Sequence, residues 1–292
     1  MKSLRIIFAL AAITGVTGDN NVTATPRTDA ADGPARADCV LEKLLLSGEK
    51  LLQEEEKVEE RVMATGELNP NHYPAQRAAK VVQHHLNTRY GSPYRLFGLQ
   101  QVHSANAQVV ADSGRKYQLQ LTVHELISNA TQKCSAEVVF PGGQEPSPAQ
   151  VKVACEGLTK NQTLDREEAL YQQYRSNQSL LSAHNLPDGH GHMEPDTRPL
   201  WHLGIVASSF VMMNESTENT LYNMAQVANI SQLHSDNDVL KFESLVLLHD
   251  MVSQEIPRWK LLFTWSPAEG VKVLKMEQLP HCHECEKPLG TN

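Results

Sequence analysis

Three histidines and an aspartate lie close together in the segment HNLPDGHGHMEP, where they could bind a metal ion: His184, Asp188, His190 and His192. Imidazole nitrogens and carboxylate oxygens are zinc ligands. The segment contains two glycines, and no helical spacing fixes the four side chains relative to one another. We therefore predict an exposed loop with solvent-facing histidines and no metal site.

A second group of possible ligands lies in the segment HCHECEK: His281, Cys282, His283 and Cys285. A C-x-x-C pair can be redox-active or form half of a zinc site, but no second pair accompanies it here. The chain has five cysteines, so one thiol is left over or bridges two molecules. We favour a structural or adventitious role for this pair, by simple oxidation or by a bond to Cys39, over metal binding.

The segment LLHDMVSQEIPRW, residues 247–259, contains the residue types of a catalytic triad: His249, Asp250 and Ser253. A triad normally takes its members from separate elements, and three residues of one turn would rarely align. The chain also lacks a nucleophile elbow, an H-E-x-x-H motif, a P-loop and a dinucleotide fingerprint. We expect no catalytic residues, no cofactor and no enzymatic activity.

The same segment is better explained as the connection of a β-hairpin. Apolar runs predict strands at 239–248 and 259–265, with polar residues between them. Loops held by a rigid sheet often bind other molecules. A polar tip flanked by Leu248, Ile256 and Trp259 could enter a concave partner, and an ordinary solvated hairpin would show the same pattern.

Composition limits the class of protein. The 292 residues carry a net charge of −8 without a basic block, which argues against nucleic-acid binding. Residues 1–18 have the positive start, the apolar run and the small final residues of a signal peptide, and the run is too short to span a membrane. No later segment is apolar enough to span. We expect a secreted, extracellular protein that starts near Asp19.

Six asparagines begin N-x-S/T triplets without proline, which are glycosylation candidates in a secreted chain. They are Asn21, Asn129, Asn161, Asn177, Asn214 and Asn229.

The segment 19–67 is predicted to contain a disordered stretch followed by an amphipathic helix. Residues 39–63 place leucines and valines among many charges, as in a helix with one apolar face. This helix either packs on the main body or forms a coiled-coil arm. A homodimer through Cys39 or through the 39–63 helix is therefore possible.

Apolar periodicity predicts the elements of the remaining chain. Helices are expected from Pro74 to about residue 90, at 163–182 and at 199–213. In the first of these helices, five apolar residues fall at helical spacing: Ala75, Ala78, Ala79, Val82 and Leu86. Strict alternation predicts strands at 117–123, 134–140 and 151–155. Further strand-like runs lie at 221–230, 239–248, 259–265 and 271–275.

Strand register alone pairs two cysteines. Cys134 and Cys155 lie at equal distances from the midpoint of the turn PGGQEPSP. Residues equidistant from the turn lie opposite each other in an antiparallel hairpin. In a secreted chain this predicts a cross-strand disulfide.

The elements repeat as a helix followed by four strands, then a connector helix, then a helix followed by four strands. This predicts an α+β fold in which each helix covers one face of a curved antiparallel four-stranded sheet. The two subdomains are expected at 68–160 and 196–279. A connector helix and loop at 161–195 would join them, and residues 280–292 would form a tail.

Several segments together resemble the latexin family in their order and spacing: NHYPAQRAAKVVQHHLN, RKYQLQLTVHEL, CSAEVVFPGGQE, NLPDGHGHMEP, NESTENTLYNM and LLHDMVSQEIPRW. The resemblance covers residues 68–279. The signal peptide, the cysteine pair and the PDGHGH loop look more like the secreted branch, which includes the retinoic acid receptor responder and ovocalyxin-like proteins.

The resemblance implies two cystatin-like subdomains joined by a helix. It also implies inhibition of zinc-dependent metallocarboxypeptidases of the A/B type, with the 248–259 hairpin of the second subdomain entering the protease. The matching protease-binding residues are His249, Ser253, Gln254, Glu255 and Ile256. In this chain Pro257 and Arg258 stand where the family has isoleucine and proline.

Two other functions compete with this one. Cystatins inhibit papain-like cysteine proteases through a Q-x-V-x-G hairpin, and the expected first hairpin at 126–134 lacks that motif. The second alternative is a non-catalytic extracellular matrix or adhesion protein of the same fold. It would use its sheets and N-terminal arm as interaction surfaces and would not inhibit proteases.

Overall fold

The computed structural model of the protein describes residues 65–110, 114–142, 147–157, 163–177, 179–235 and 238–280. The predicted signal peptide, the 39–63 helix and the C-x-x-C pair lie outside the described residues, and so do Asn21 and Asn161. Among the described residues, no helix has the length and apolar character needed to cross a membrane.

The first half of the described chain contains one antiparallel sheet and one helix. Its elements are β1 (Gly66–Leu68), α1 (Tyr73–Tyr90), β2 (Phe97–Val110), β3 (Gly114–Glu125), β4 (Thr131–Phe140) and β5 (Gln150–Cys155). The five strands follow one another across the sheet in chain order. The helix expected from Pro74 and the three strands predicted by alternation are confirmed.

The second half repeats this plan after a connector helix. Its elements are α2 (Leu164–Ser176), β6 (Ser182–Leu186), a short 3-10 turn (Pro195–Thr197), α3 (Arg198–Glu215), β7 (Tyr222–Leu233), β8 (Leu240–Asp250), β9 (Arg258–Ser266) and β10 (Gly270–Leu279). Strands β6 to β10 again follow one another across the sheet. The protein is therefore an α+β protein with two antiparallel sheets.

The prediction of four strands in each sheet was wrong, because a short strand precedes each helix. In β1, Leu68 pairs with Ala105 of β2, and in β6, Ser182 pairs with Ser231 of β7. The β6 residues had been assigned to the end of the connector helix and to the histidine loop. Strands of three and five residues are too short to give a periodic apolar signal, so only pairing in the sheet reveals them.

The first long strand after each helix contains two register shifts, and their spacing is the same in both halves. The shifts lie between Leu99 and Gln101 and between Val102 and Ser104 in β2, and between Met224 and Gln226 and between Val227 and Asn229 in β7. An extra residue on one strand bends it and increases the twist of the sheet. The repeat therefore extends to the places where the sheets curve.

Each helix buries its apolar stripe against its own sheet. The five residues expected on the apolar face of α1 are fully buried: Ala75, Ala78, Ala79, Val82 and Leu86. On β3, Tyr117, Leu119, Leu121 and Val123 face this helix and are at most 1% exposed. The other face of β3 carries Gln118, Gln120 and Thr122, as the alternation predicted.

The two halves meet through their helices, because α1 contacts α3. Several hydrogen bonds also join the two halves. Arg77 donates to the carbonyl of Glu218 at 2.8 Å, and the Tyr117 hydroxyl donates to the Glu218 carboxylate at 3.0 Å. The Nε2 of His84 lies 3.1 Å from the carbonyl oxygen of Tyr222. These contacts fix the second sheet, and the hairpin it carries, relative to the first half.

Candidate functional site

The connection between β8 and β9 forms a short closed hairpin tip at residues 251–257. Two backbone hydrogen bonds close its base: Leu248 N donates to Pro257 O at 3.0 Å, and Asp250 N donates to Glu255 O at 3.0 Å. The flanking strands are the third and fourth of a five-stranded sheet. The tip therefore stands on the interior of a sheet, which gives it a rigid base.

The carboxylate of Asp250 organises this tip from within. Its Oδ1 accepts the backbone N–H of Leu221 at 2.8 Å and that of Val252 at 3.2 Å. Its Oδ2 accepts the Ser253 hydroxyl at 2.8 Å and the Ser253 N–H at 3.3 Å. Sequence analysis placed Asp250 in a rejected triad and missed this role. The short spacing D-x-x-S inside a predicted turn was the available signal.

The charged form of Asp250 is the form that the tip stabilises. Burial alone would raise the pKa of this carboxyl, and the side chain is only 5% exposed. The hydrogen bonds from Leu221, Ser253 and Val252 outweigh burial and hold the pKa below its ordinary value. A carboxylate that accepts several N–H and O–H donors is stabilised in its ionised state.

Gln254 sits at the apex in a left-handed backbone conformation, with φ of +61°. Residues other than glycine rarely adopt this backbone conformation, and they do so at a cost of about 1 kcal/mol or more. Gln254 N donates to Asp250 O at 2.8 Å, and its side-chain Nε2 donates to Met251 O at 2.6 Å. These two bonds hold Gln254 in this conformation.

Four of the five predicted protease-binding residues lie together on the exposed tip: Ser253, Gln254, Glu255 and Ile256. The fifth, His249, is a half-buried residue of β8 and lies opposite Asn223 of β7. Successive strand residues point to opposite faces of a sheet, so His249 and Asp250 diverge. His249 is therefore separated from the Asp250–Ser253 pair, and the three side chains do not form a catalytic triad.

Two further apolar residues on the tip, Met251 and Val252, were not anticipated by sequence analysis. Met251, Val252 and Ile256 are 47%, 43% and 55% exposed, respectively. Isolated exposed apolar residues are common, but three on one turn beside Gln254 and Glu255 form a mixed apolar and polar surface. Such a surface is suited to a partner that provides both an apolar wall and hydrogen-bond donors.

The histidine loop has a structural explanation. Asp188 Oδ1 accepts the backbone N–H groups of His190 and His192, each at 2.8 Å. The side chains of His184, His190 and His192 are exposed, as predicted, although His184 lies on β6 and not in the loop. No group of three or more His, Cys, Asp or Glu side chains suited to a metal ion occurs among the described residues.

The predicted disulfide is confirmed. Cys134 and Cys155 are register partners on β4 and β5, and their sulfur atoms are bonded at 2.00 Å. Four glycosylation candidates lie in the described part of the chain, and all four are exposed: Asn129, Asn177, Asn214 and Asn229. Their exposure is compatible with glycosylation, which stays a prediction.

Comparison with known proteins places the chain in one family. The family model described as Latexin matches residues 68–283. Latexin from Homo sapiens is 35% identical over 216 residues, which cover 73% of this chain and 97% of that protein. Retinoic acid receptor responder protein 1 from Homo sapiens is 30% identical, with coverage of 73% of each chain. Ovocalyxin-32 from Gallus gallus is 29% identical, with coverage of 76% of this chain and 80% of that protein. The chain therefore belongs to the latexin family.

Proposed function

We propose that this protein is a secreted inhibitor of zinc-dependent metallocarboxypeptidases of the A/B type, and that the 248–259 hairpin is its inhibitory element. The proposal follows from the resemblance to the latexin family and treats the two halves as cystatin-like subdomains. The observation that carries it is the exposed tip of Ser253, Gln254, Glu255 and Ile256, fixed from beneath by Asp250.

A fixed tip is what a protein inhibitor requires. Ordering a flexible loop on binding costs free energy, so a loop that is already ordered binds more tightly for the same contacts. Here the Asp250 carboxylate and the two hydrogen bonds of Gln254 perform this ordering before any partner arrives.

The chemistry of the tip suits the active site of a metallocarboxypeptidase. Such an enzyme keeps an open zinc position for water and polarises groups that approach it. Gln254 and Glu255 present an amide and a carboxylate at the apex, where they would approach this water. Met251, Val252 and Ile256 would pack against the walls of the protease entrance and exclude solvent.

The test is a titration of the purified protein against carboxypeptidase A, with a chromogenic substrate cleaved at its C-terminal residue. We expect loss of protease activity near a one-to-one ratio. The double variant Gln254→Ala with Glu255→Ala should inhibit much more weakly and stay folded, because both side chains are exposed.

The connector helix provides a matched control. Glu168 and Gln172 are exposed on α2, and their side chains are hydrogen-bonded at 2.7 Å. The variant Glu168→Ala with Gln172→Ala removes the same side-chain types elsewhere and should inhibit like the parent protein. If the parent fails to inhibit at large excess, the matrix or adhesion function of the same fold becomes the better explanation.

Secretion is a separate part of this proposal. Expression of the full chain in animal cells should release the protein into the medium, with an N-terminus near Asp19. Treatment with an N-glycosidase should increase its mobility in a gel if the exposed sequons are used. Protein retained in the cell with an intact N-terminus would contradict secretion.

A further inference from the structure

A second concave surface lies between the connector helix α2, the start of α3 and the turn after β3. This cleft has a volume of about 650 Å³, and none of the hairpin residues 248–259 lines it. Its size falls within the range of small-molecule sites. Its walls come from both halves of the described chain, and they include Tyr94, Leu126, Arg166, Tyr174, Arg198 and Trp201.

Two buried polar atoms in the walls have no hydrogen-bond partner among the described residues: the Tyr174 hydroxyl and the Trp201 Nε1. Tyr174 is only 5% exposed. Buried polar groups are paired in most proteins, and each exception calls for an explanation. The indole N–H is a hydrogen-bond donor only, and the phenol hydroxyl can act as a donor too. A bound molecule with acceptor oxygens would therefore satisfy both groups.

Two cations lie at the same cleft. The guanidinium of Arg166 stacks over the Tyr94 ring at 4.2 Å, which holds its plane while its N–H edges can still donate. Arg198 is exposed at the first residue of α3, whose first turn has no acidic side chain. A cation at a helix N-terminus is unfavourable, and a nearby anion relieves it. Among the described residues, neither arginine forms a salt bridge.

The remaining walls are mainly apolar, and they include one carboxylate, that of Asp196. Leu126 is 47% exposed and borders the cleft together with Ile127 and Met193. Asp196 contributes the negative charge, so the two arginines leave the cleft with a net positive charge. The combination favours a ligand with one anionic end and an apolar body.

We propose that this cleft binds a small amphipathic monocarboxylate. Arg166 and Arg198 recognise the carboxylate, and the Tyr174 hydroxyl and the Trp201 indole donate to its oxygens. The aromatic or aliphatic body of the ligand packs on Tyr94 and Leu126. Ionised carboxylates accept several donors at once, which suits a site with four donor groups and one net positive charge.

The probe is 3-phenylpropanoate, titrated into the full chain by isothermal calorimetry. We expect saturable one-to-one binding, and we expect 3-phenylpropanamide, which has the same body without the charge, to bind at least about tenfold more weakly. N-acetylglycyl-phenylalanine forms a second arm. If this peptide binds more tightly than 3-phenylpropanoate, the ligand of the cleft is the C-terminus of a peptide. If it binds more weakly, the ligand is a free carboxylic acid. No binding of either probe at millimolar concentration overturns the proposal.

Substitutions of the two arginines distinguish a ligand-binding site from an ordinary surface groove. Arg166→Gln with Arg198→Gln should weaken binding of 3-phenylpropanoate at least about tenfold. Arg89→Gln, an exposed arginine on α1 that does not line the cleft, should leave binding unchanged. Equal affinity in all three proteins would show that the arginines do not recognise the ligand.

Tyr174→Phe provides the sharpest test. It removes a hydroxyl that has no hydrogen-bond partner within the described part of the chain, so the melting temperature should stay the same or rise. Binding of 3-phenylpropanoate should nevertheless weaken severalfold, and a purely structural tyrosine would not produce that combination. Affinity equal to that of the parent would contradict the proposed contact. None of these substitutions should change carboxypeptidase inhibition, so ligand binding by the cleft and inhibition by the hairpin are tested independently.

Discussion

The Asp250 carboxylate joins the hairpin tip to the strand beside it. One oxygen accepts the Ser253 hydroxyl at 2.8 Å, within the tip, and the other accepts the Leu221 N–H at 2.8 Å, just before β7 begins. A single buried side chain therefore sets the position of the tip relative to the sheet. If the tip is the inhibitory element, this carboxylate should control inhibition without touching the protease.

The substitution Asp250→Asn tests this control. The amide keeps one acceptor oxygen and places an NH2 group where Ser253 now donates. We expect a loss of about 2 kcal/mol in the free energy of unfolding, measured by urea denaturation. Inhibition of carboxypeptidase A should weaken at the same time, because the tip becomes mobile.

Ser253→Ala serves as the graded control for this experiment. It removes one donor, the hydroxyl, and leaves the carboxylate with the backbone N–H groups of Leu221, Val252 and position 253, so it should cost only about 1 kcal/mol. Stability in Asp250→Asn equal to that of the parent would show that the carboxylate does not organise the tip.

His84 makes the junction between the halves sensitive to acid. Burial and the charge of Lys80 lower the pKa of His84 from 6.5 to about 3, although its hydrogen bond to the Tyr222 carbonyl acts in the opposite direction. The unfolded chain therefore takes up a proton on this residue below pH 6.5, while the folded protein does not. The free energy of unfolding should therefore decrease as the pH is lowered from 6.5 to 3. Between pH 7 and pH 5 the decrease should be about 2 kcal/mol.

The measurement is the free energy of unfolding at pH 7 and pH 5 for the parent and for His84→Gln. Glutamine retains a donor for the Tyr222 carbonyl but does not titrate. The variant should therefore lose much less stability between the two pH values. A parallel decline in both proteins would assign the acid sensitivity to other groups.

The disulfide of the first half should stabilise the fold without affecting the hairpin. Cys134 and Cys155 close a loop with a sequence separation of 21. Loop closure of this length is worth about 3 kcal/mol through the entropy of the unfolded chain. Cys134→Ala with Cys155→Ala should lower the free energy of unfolding by that amount. At 25 °C inhibition by the folded variant should match the parent, because both cysteines lie in the other half.

Glu218 joins the halves through its side chain. Its carboxylate accepts the Tyr117 hydroxyl at 3.0 Å and lies 3.3 Å from the Arg115 guanidinium. Tyr117 is 1% exposed, whereas Glu218 is about a third exposed, so solvent weakens the ionic contribution. A double-mutant cycle of Tyr117→Phe and Glu218→Gln should give a coupling free energy of about 1 kcal/mol. Additive effects would mean that the hydrogen bond contributes nothing to stability.

Apolar periodicity and register predicted the elements whose partners are close in sequence. The helical spacing of Ala75, Val82 and Leu86 predicted the buried face of α1, and the turn midpoint predicted the pairing of Cys134 with Cys155. Both depend on geometry that repeats within one element or one hairpin. They could therefore be predicted without knowledge of the rest of the fold.

Contacts between distant segments could not be predicted in this way. The edge strand Ser182–Leu186 is defined by its pairing with β7, about 45 residues further along the chain. Arg166, Trp201 and Tyr94 belong to three separate elements or loops and meet only in the folded cleft. The same holds for Asp250, whose role depends on the N–H of Leu221. The residues were visible in the sequence, but their neighbours were not.

The packing of α3 on its sheet depends on the absence of a side chain at Gly204. A Cβ at this position would lie 2.5 Å from Cγ2 of Val227, a fully buried β7 residue. A valine in a strand has restricted rotamers and cannot move this methyl group away easily. Gly204→Ala should therefore lower the free energy of unfolding by about 1 to 3 kcal/mol, in spite of the better helix propensity of alanine.

Val227→Ala removes the methyl groups that cause this clash and should leave a cavity at the same place. The alanine methyl of Gly204→Ala would then partly fill the cavity and also favour the helix. In the Val227→Ala background, Gly204→Ala should consequently be neutral or stabilising when unfolding is followed in urea. The sign of its effect should reverse between the two backgrounds. The same loss in both would locate its cost elsewhere, because the three atoms nearest to the added Cβ all belong to Val227.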